Sequence, residues 1–311
     1  MLINKEKNFI SAVVYVYNQE KTITVFLNQL NQCLEKTFEK YEIICVNDAS
    51  SDNSIDEIKK FAKNHGEGMI SILHMSFYQG LELSMNAGVD LSIGDFVYEF
   101  DSSDFVCSDK LIRDVYYHTL KGYDIVSAAP KNQIHKSSSL FYFIFNKAAK
   151  TQYMLRTESF RILSRRAINR VKSMSVVIPY RKAVYANCGL KADVIYFDTG
   201  QLMTKLDRTT RHTQRETAID ALIMYTDLAY RCSMFFSFLM MVMVVVIGLY
   251  AIFIYCSGRP VAGWTTTMLF LSGGFLGLVV ILTVIIKYMS IILRLNFNRQ
   301  KYIIEAIEKL K

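Results

Sequence analysis

Several patterns that identify common classes of protein are missing from this 311-residue chain. The six cysteines are scattered and form no C-x-x-C pair, which excludes a small disulfide scaffold and indicates no metal or redox role for them. No G-x-G-x-x-G follows the first apolar segment, and the P-loop pattern G-x-x-x-x-G-K-[ST] does not occur. A dinucleotide site and a P-loop are therefore disfavoured.

The formal net charge of +8 is unevenly distributed along the chain. Residues 1–135 carry 12 Lys and Arg against 19 Asp and Glu, a balance of −7. Residues 136–172 carry nine basic side chains against one acid, Glu158, a balance of +8. Such a basic region suits nucleic acid or an anionic membrane surface. The hydropathy pattern favours the membrane, and we expect no nucleic-acid partner.

Two long segments contain no charged side chain, and they cover Met234–Cys256 and Pro260–Ile286. About 20 apolar residues in a helix cross the hydrocarbon core of a bilayer, and neither segment has the polar stripe of a soluble helix. The sequence therefore predicts a two-helix transmembrane hairpin over residues 234–286, preceded by juxtamembrane amphipathic helices over 206–233.

Basic residues flank the hairpin, whereas the short link between its helices contains only Arg259. Arginine and lysine accumulate on the cytoplasmic side of membrane proteins, so we expect both termini in the cytoplasm. The start, MLINKEKNF, lacks the apolar core of a signal peptide, which agrees with this orientation. In the tail, residues 287–311, helical spacing relates Ile303, Ile304, Ile307 and Leu310. This spacing predicts a cytosolic amphipathic helix, with a weakly packed tail as the alternative.

The first part of the chain alternates β-rich apolar runs with helical patterns. Predicted strands cover Phe9–Tyr15, Glu42–Val46, Ile70–Met75, Phe96–Phe100 and Asp124–Ala128. Predicted helices cover Thr22–Leu34, Asp56–Asn64, Gly80–Leu91 and Asp109–Leu120. This alternation is typical of an α/β fold with a mostly parallel sheet. Polar residues follow the first, second and fourth strands, at the edge where such sheets bind ligands.

Those polar segments read VVYVYNQE, EIICVNDASSDNS and IGDFVYEFDSSD, and they resemble the family 2 glycosyltransferases. The segment TESFRILSRRAINRV and the two apolar runs more narrowly resemble bacterial polyprenyl-phosphate glycosyltransferases and dolichol-phosphate mannose synthase. The resemblance implies a Rossmann-like GT-A domain over residues 1–205, anchored in a bacterial inner membrane. It also implies inverting transfer of a sugar from a nucleotide-sugar to a polyprenyl phosphate, for a cell-envelope polysaccharide or glycolipid.

The resemblance also implies roles for individual residues. The nucleotide pocket would contain Val16, Tyr17, Asn18 and Glu20, with Asp48 at the base. Asp101 and Asp104 would hold Mg²⁺ or Mn²⁺, which prefer carboxylate oxygen, and Arg161 and Arg181 would contact the acceptor phosphate. The alternative for Asp48 and Asp52 is an Asx-turn that caps the following helix. For Asp101 and Asp104, it is a turn with an N-cap.

The phosphate acceptor implied by the resemblance needs no general base, because a phosphate monoester is already an anionic nucleophile. Five basic residues of the region 136–172 would then face lipid headgroups or form a solvated helix face: Lys147, Lys150, Arg165, Arg166 and Arg170. The aromatic residues that precede them suit either the membrane interface or a buried core: Phe141, Tyr142, Phe143 and Phe145.

Several positions depart from the family pattern. Ser103 stands where the second carboxylate of D-x-D is usual, and Arg156 where an acid commonly precedes the F-R pair. These departures leave open a non-catalytic GT-A-like scaffold or regulatory subunit of a polysaccharide assembly complex. A transferase that elongates a glycan directly is disfavoured, since its Q-x-x-R-W motif is missing and the one tryptophan is Trp264. The sequence leaves the oligomeric state open, a homo-oligomer included.

Overall fold

The computed structural model describes residues 5–64, 68–103, 108–131, 142–143, 145–147, 153–174, 180–198, 228–257, 263–296 and 302–310. The chain divides into two compact units. The first contains residues 1–219 together with 299–311, and the second contains residues 220–298. The predicted boundary at residue 205 therefore omits the C-terminal segment of the first unit.

The first unit is built on a mixed sheet whose strands appear in the order β7-β5-β6-β4-β1-β2-β3-β8. Its strands are β1 Ile10–Val16, β2 Tyr41–Asn47, β3 Met69–Met75, β4 Phe96–Phe100, β5 Ile125–Pro130, β6 Phe160–Ser164, β7 Ala192–Phe197 and β8 Ile304–Lys309. Its helices are α1 Ile23–Thr37, α2 Ser54–Asn64, α3 Leu81–Leu91, α4 Asp109–Thr119, α5 Arg165–Met174 and α6 Arg181–Asn187. The pairs β1–β2, β2–β3, β1–β4 and β5–β7 are parallel, whereas β6 and β8 pair antiparallel with their neighbours. The predicted mostly parallel α/β architecture is confirmed.

The two faces of the sheet differ in their covering helices. Every residue of β1 and β2 is buried, as expected for central strands with both faces covered. Ile10, Ala12 and Val14 of β1 join the main apolar core, which includes residues of α1, α2 and α4. Val13 faces the other way, toward α3. This second face carries the buried polar residues of the candidate site.

The C-terminal tail differs from the amphipathic helix that the sequence predicts. Residues 287–296 continue a membrane-type helix, and Ile304–Lys309 form strand β8 rather than an amphipathic helix. β8 pairs with β3, and the Leu310 amide donates to the Ile70 carbonyl at 2.9 Å. The Gln79 side chain adds two hydrogen bonds to the Ile303 backbone, at 2.6 and 2.9 Å. The backbone groups along the edge of β3 determine the conformation here, because they would otherwise lack partners.

The second unit contains two long apolar helices, α7 Leu228–Cys256 and α8 Trp264–Asn296. Within them, Met234–Cys256 and Thr266–Met289 are long and apolar enough to cross a membrane, with a mean hydropathy of 2.7 each. The hydroxyls of Ser237 and Thr283 lie 2.6 Å apart, and the rings of Tyr250 and Trp264 are 6.3 Å apart. These contacts pair the start of α7 with the later part of α8, so the helices are antiparallel. Residues 206–227 of the predicted juxtamembrane helices lie outside the described residues, and 228–233 begin α7.

Gly88 lets α3 approach the sheet closely. A β-carbon at this position would lie 2.6 Å from Val46 Cγ2 and would also clash with Val13. Both valines are buried and β-branched, so they adjust poorly. We expect Gly88→Ala to lower the free energy of unfolding by about 1–3 kcal/mol, measured by guanidinium unfolding in detergent with circular dichroism.

The matched control is Gly248→Ala in α7, where an added β-carbon meets nothing within 4 Å. A similar unfolding midpoint for both variants would contradict close packing at Gly88.

Candidate functional site

Loops from three parallel strands meet at the carboxyl edge of the sheet. The Asp48 amide after β2 donates to the Val16 carbonyl at the end of β1, at 3.0 Å. Asn18 accepts a hydrogen bond from the Ser51 amide at 2.8 Å, and the Glu20 amide donates to Asp52 at 3.0 Å. The structure therefore brings the predicted residues Val16, Asn18 and Glu20 beside the loop after β2.

Asp48 is fully buried, and its carboxylate accepts three hydrogen bonds. Its carboxylate accepts from the Tyr15 hydroxyl at 2.9 Å and from the amides of Gln79 and Gly80 at 2.7 and 2.8 Å. Gly80 is the N-cap of α3, so Asp48 fixes the start of α3 rather than the helix that follows it in the chain. Binding of a base by Asp48 stays a prediction.

Asp52 fits the turn alternative instead. It accepts hydrogen bonds from the Ser54 amide at 3.0 Å and the Ser54 hydroxyl at 2.6 Å, at the first residue of α2.

An aromatic pair borders the same loops. The rings of Tyr17 and Tyr78 lie 4.7 Å apart at a tilt of 49°, and Tyr78 is 41% exposed. Asn18 and Ala49 have φ angles of 52° and 55°, in the left-handed region that L-residues rarely adopt. For Ala49 this backbone conformation costs about 1–2 kcal/mol, and strain of this kind is concentrated at functional sites.

Asp101, directly after β4, is held by two arginines. Its carboxylate oxygens accept from Arg161 at 3.0 Å and from Arg181 at 2.6 Å. The structure thus brings together the three residues predicted as catalytic, which come from the end of β4, from β6 and from α6. Burial would raise the pKa of Asp101, but Arg161 and Arg181 outweigh burial and hold this pKa well below its usual range.

Both guanidinium groups are buried and have further carboxylate partners. Arg161 pairs with Glu99 at 2.8 Å and with Glu158 at 3.0 Å. Arg181 pairs with Glu82 at 3.0 Å and lies 3.0 Å from Glu99. The two arginine side chains are 1% and 0% exposed. All three nitrogens of Arg161 and the Nε and Nη2 atoms of Arg181 donate to carboxylates, whereas Arg181 Nη1 makes no hydrogen bond among the described residues. Their predicted contact with an acceptor phosphate stays a prediction.

Glu99 is the centre of this network, which also includes the hydroxyl of Tyr185, 2.7 Å from the Glu99 carboxylate. Four residues of this network were not predicted from the sequence: Glu82, Glu99, Glu158 and Tyr185. One signal was present for Glu99, because FVYEF places a charged residue in an apolar strand two positions before Asp101. Glu158 supplies the acid near the F-R pair that we expected at the position of Arg156.

The metal prediction rests on Asp101 and Asp104. Asp104 lies outside the described residues, and within the described ranges no three His, Cys, Asp or Glu side chains cluster as a metal site. Ser103, at the usual second D-x-D position, is 3% exposed and bonds to Gln19 and Thr22, each at 2.7 Å. Ser103 therefore connects the loops after β1 and β4.

Residues of the basic region 136–172 differ in their contacts and in their exposure. Arg165 donates to the Gly94 carbonyl, Arg166 pairs with Asp124, and Arg170 donates to the Cys188 carbonyl. Lys147 is exposed and Phe143 is 64% exposed, whereas Phe145 is fully buried and half-buried Tyr142 lies near it in the chain. Phe145 thus belongs to a core. Lys150 and Phe141 lie outside the part of the chain that the structure describes.

The model of glycosyl transferase family 2 matches residues 11–172, more than half of the chain. An uncharacterised glycosyltransferase of Synechocystis sp. is 26% identical over 195 residues, covering 61% of this chain and 60% of that protein. An undecaprenyl-phosphate 4-deoxy-4-formamido-L-arabinose transferase of Pectobacterium atrosepticum is 26% identical over 208 residues, covering 63% of this chain and 61% of that protein. The matches therefore span only about 60% of the length of these two relatives.

Solved structures show the same fold. A mannosyltransferase from Pyrobaculum calidifontis in complex with GDP-Man and Mn²⁺ has a TM-score of 0.52 at 15% identity, covering 73% of this chain and 65% of that chain. Glucosyl-3-phosphoglycerate synthase from Mycobacterium tuberculosis, in complex with Mn²⁺, UDP and phosphoglyceric acid, has a TM-score of 0.51 at 12% identity. It covers 69% of this chain and 78% of that chain. With the family match, these likenesses confirm the predicted GT-A fold.

The buried network predicts the effect of neutralising Glu99. In Glu99→Gln, two buried guanidinium groups lose a shared carboxylate, which is strongly destabilising in protein interiors. We expect the free energy of unfolding to fall by about 3–5 kcal/mol. Guanidinium unfolding measured by circular dichroism tests this.

Glu57→Gln is the matched control, because Glu57 pairs with Lys60 at the surface of α2, where the Glu57 side chain is 29% exposed. The control should leave the unfolding midpoint unchanged. Equal midpoints for the two variants would show that the buried network contributes little.

Proposed function

Because the chain belongs to glycosyl transferase family 2 and is a glycosyltransferase, we propose that it transfers a sugar from a nucleotide-sugar to a polyprenyl phosphate. The reaction inverts the configuration at the sugar carbon. The observation that carries this proposal is the position of Asp101, fixed by Arg161 and Arg181 at the carboxyl edge of the sheet. Ligands of open α/β sheets bind at this edge.

The donor is proposed to bind across the loops after β1, β2 and β4. Tyr17 and Tyr78 offer aromatic surface for a base, and the hydroxyl- and amide-rich loop around Asn18 offers polar contacts. The similar structures from P. calidifontis and M. tuberculosis contain GDP-Man and UDP, respectively, which supports a nucleotide-sugar donor.

The acceptor supplies its own nucleophile. A phosphate monoester has a second pKa near 6 and carries negative charge at neutral pH, so no side chain has to remove a proton. Catalysis then depends on positioning the two substrates and on stabilising charge in the leaving group. The name of the P. atrosepticum relative, an undecaprenyl-phosphate transferase, supports this class of acceptor.

We propose that Asp101, with Asp104, holds Mg²⁺ or Mn²⁺ during the reaction. Each Asp101 oxygen accepts one guanidinium hydrogen bond, and a carboxylate oxygen has a second lone pair for another partner. Magnesium commonly uses only one or two carboxylates together with substrate phosphates, so this donor set fits. When bound, the ion neutralises charge on the leaving diphosphate.

The apolar helices support a membrane location. Their most apolar windows are 6% and 0% buried, so most described side chains of α7 and α8 are not covered by protein. Water is a poor solvent for an apolar surface of this extent, and lipid is a good one. We propose two spans of a bacterial inner membrane with both termini in the cytoplasm, since the basic residues lie on the flanks.

Neutralising Asp101 should abolish transfer. With undecaprenyl phosphate and radiolabelled nucleotide-sugars, we expect the full chain to form a labelled lipid and Asp101→Asn to form at least about 100-fold less. Asp114→Asn, an exposed acid on α4, is the matched control and should retain full activity.

Membrane insertion of Asp101→Asn should be normal in carbonate extraction, and chelation of divalent ions should abolish transfer by the unaltered chain. Labelled lipid from Asp101→Asn at the unaltered rate would contradict the role of Asp101. If no nucleotide-sugar labels a lipid, the proposed reaction is wrong.

A further inference from the structure

A cavity of about 300 Å³ lies in the first unit, at the side of the sheet formed by β5 and β7. Its walls come from these strands, from α6 and from residues 153–158. Cavities that bind small molecules usually occupy about 300–1,000 Å³, so this one has room for a phosphate group and part of what it is attached to.

The two acids that line this cavity already have side-chain partners. Glu158 pairs with Arg161 at 3.0 Å, and Asp193 pairs with His118 at 2.8 Å. The cations Arg156 and Lys182 also line it, and within the described residues neither has a carboxylate oxygen within 4.0 Å. Among the residues that the structure describes, the cavity therefore carries two positive charges without an ion-pair partner.

Both cations are held in place by their surroundings. The Arg156 guanidinium lies over the ring of Tyr196, 5.7 Å from its centre, a geometry that favours a cation. Lys182 is half-buried at the start of α6. Burial opposes its charge, but Tyr142, Glu158 and Asp101 outweigh burial and raise the pKa of Lys182. Lys182 is thus charged at neutral pH.

Arg161 connects this cavity to the candidate site. It lines the cavity and also pairs with Asp101. An anion bound by Lys182 and Arg156 would therefore lie one side chain from the carboxylate that we assign to the donor. All three nitrogens of Arg161 donate to carboxylates, as do Nε and Nη2 of Arg181. Arg181 Nη1 is fully buried 3.0 Å from Glu99, so Lys182 and Arg156 are the cations left on this cavity for an incoming anion.

We propose that this cavity binds the phosphate group of the acceptor, with Lys182 and Arg156 as its direct contacts. The assignment rests on the proposed function for the identity of the acceptor, but the phosphate chemistry follows from the cavity itself. Two cations suit a phosphate dianion, because hydrogen bonds between ionised groups are stronger than those between neutral groups. The tyrosines Tyr153 and Tyr196 supply wall surface for the group attached to the phosphate.

Binding of defined probes to the full chain in detergent tests this assignment. The probes are farnesyl phosphate, glycerol 3-phosphate and uncharged farnesol, titrated by calorimetry. Lys182→Gln and Arg156→Gln should each weaken farnesyl phosphate about tenfold or more, and farnesol should bind all variants alike. Arg156 is exposed, so its variant should fold even if Lys182→Gln does not. Lys110→Gln, an exposed lysine on α4, is the charge-matched control and should bind all probes normally.

Two of the probes separate the possible sources of phosphate, because glycerol 3-phosphate is water-soluble and farnesyl phosphate is a lipid. Weaker binding of both phosphates in the variants supports a general phosphate-ester site, and weaker binding of farnesyl phosphate alone supports a lipid phosphate. Unchanged affinity for farnesyl phosphate in Arg156→Gln and in folded Lys182→Gln overturns the proposal.

Kinetics separate this proposal from the function on which it rests. If the chain transfers sugar, the KM for undecaprenyl phosphate should rise about tenfold in both variants, with the KM for the donor within twofold. A normal acceptor KM would overturn the cavity assignment alone. Phosphate binding that depends on Lys182 and Arg156 in a chain without transfer would support the cavity and refute the proposed reaction.

Discussion

The structure of the site depends on Glu99, a carboxylate without any exposed surface that serves two buried arginines. Removing a guanidinium group from water costs several kcal/mol, so Arg161 and Arg181 are tolerable inside the protein only with carboxylate partners. Those partners come from β4, α3 and the segment before β6. The network therefore fixes the relative positions of these elements, and it does so on the face of the sheet opposite the main apolar core. A single electrostatic cluster replaces apolar packing at this place.

This arrangement gives Asp101 two roles. Its charge completes the ion pairs of Arg161 and Arg181, and its position at the end of β4 exposes part of it to the candidate site, where the side chain is 17% exposed. Arg161 and Arg181 are buried, so we assign direct contact with a ligand to other side chains. Lys182 and Arg156, which have no ion-pair partner in the part of the chain that the structure describes, lie on the adjoining cavity. The buried arginines thus stabilise the fold, whereas the cavity cations are the ones that we assign to ligand binding.

The local patterns predicted most of the fold, because strands and helices are read from short segments. The strand predicted at Phe96–Phe100 agrees with β4, and the apolar run Met234–Cys256 agrees with a candidate span. The partners of Arg181 could not be predicted in this way, since Glu82 is 99 positions away and no local pattern links them. The prediction of a helix in the C-terminal tail was wrong for a related reason. The spacing of its isoleucines fits a helix, and only the open edge of β3 makes it a strand.

Strand β8 connects the C-terminal end of the chain to the candidate site. The segment that contains α7 and α8 is inserted between β7 and β8, so the chain leaves the first unit before the apolar helices and returns to it afterwards. On its return, the Ile303 backbone is bound by the side chain of Gln79. The Gln79 amide in turn donates to Asp48, at the centre of the loops assigned to the donor. A strand that follows the apolar helices therefore helps to position the start of α3. Because Asp48 is buried, displacement of β8 would disturb the donor loops without any change in the residues that face the ligand.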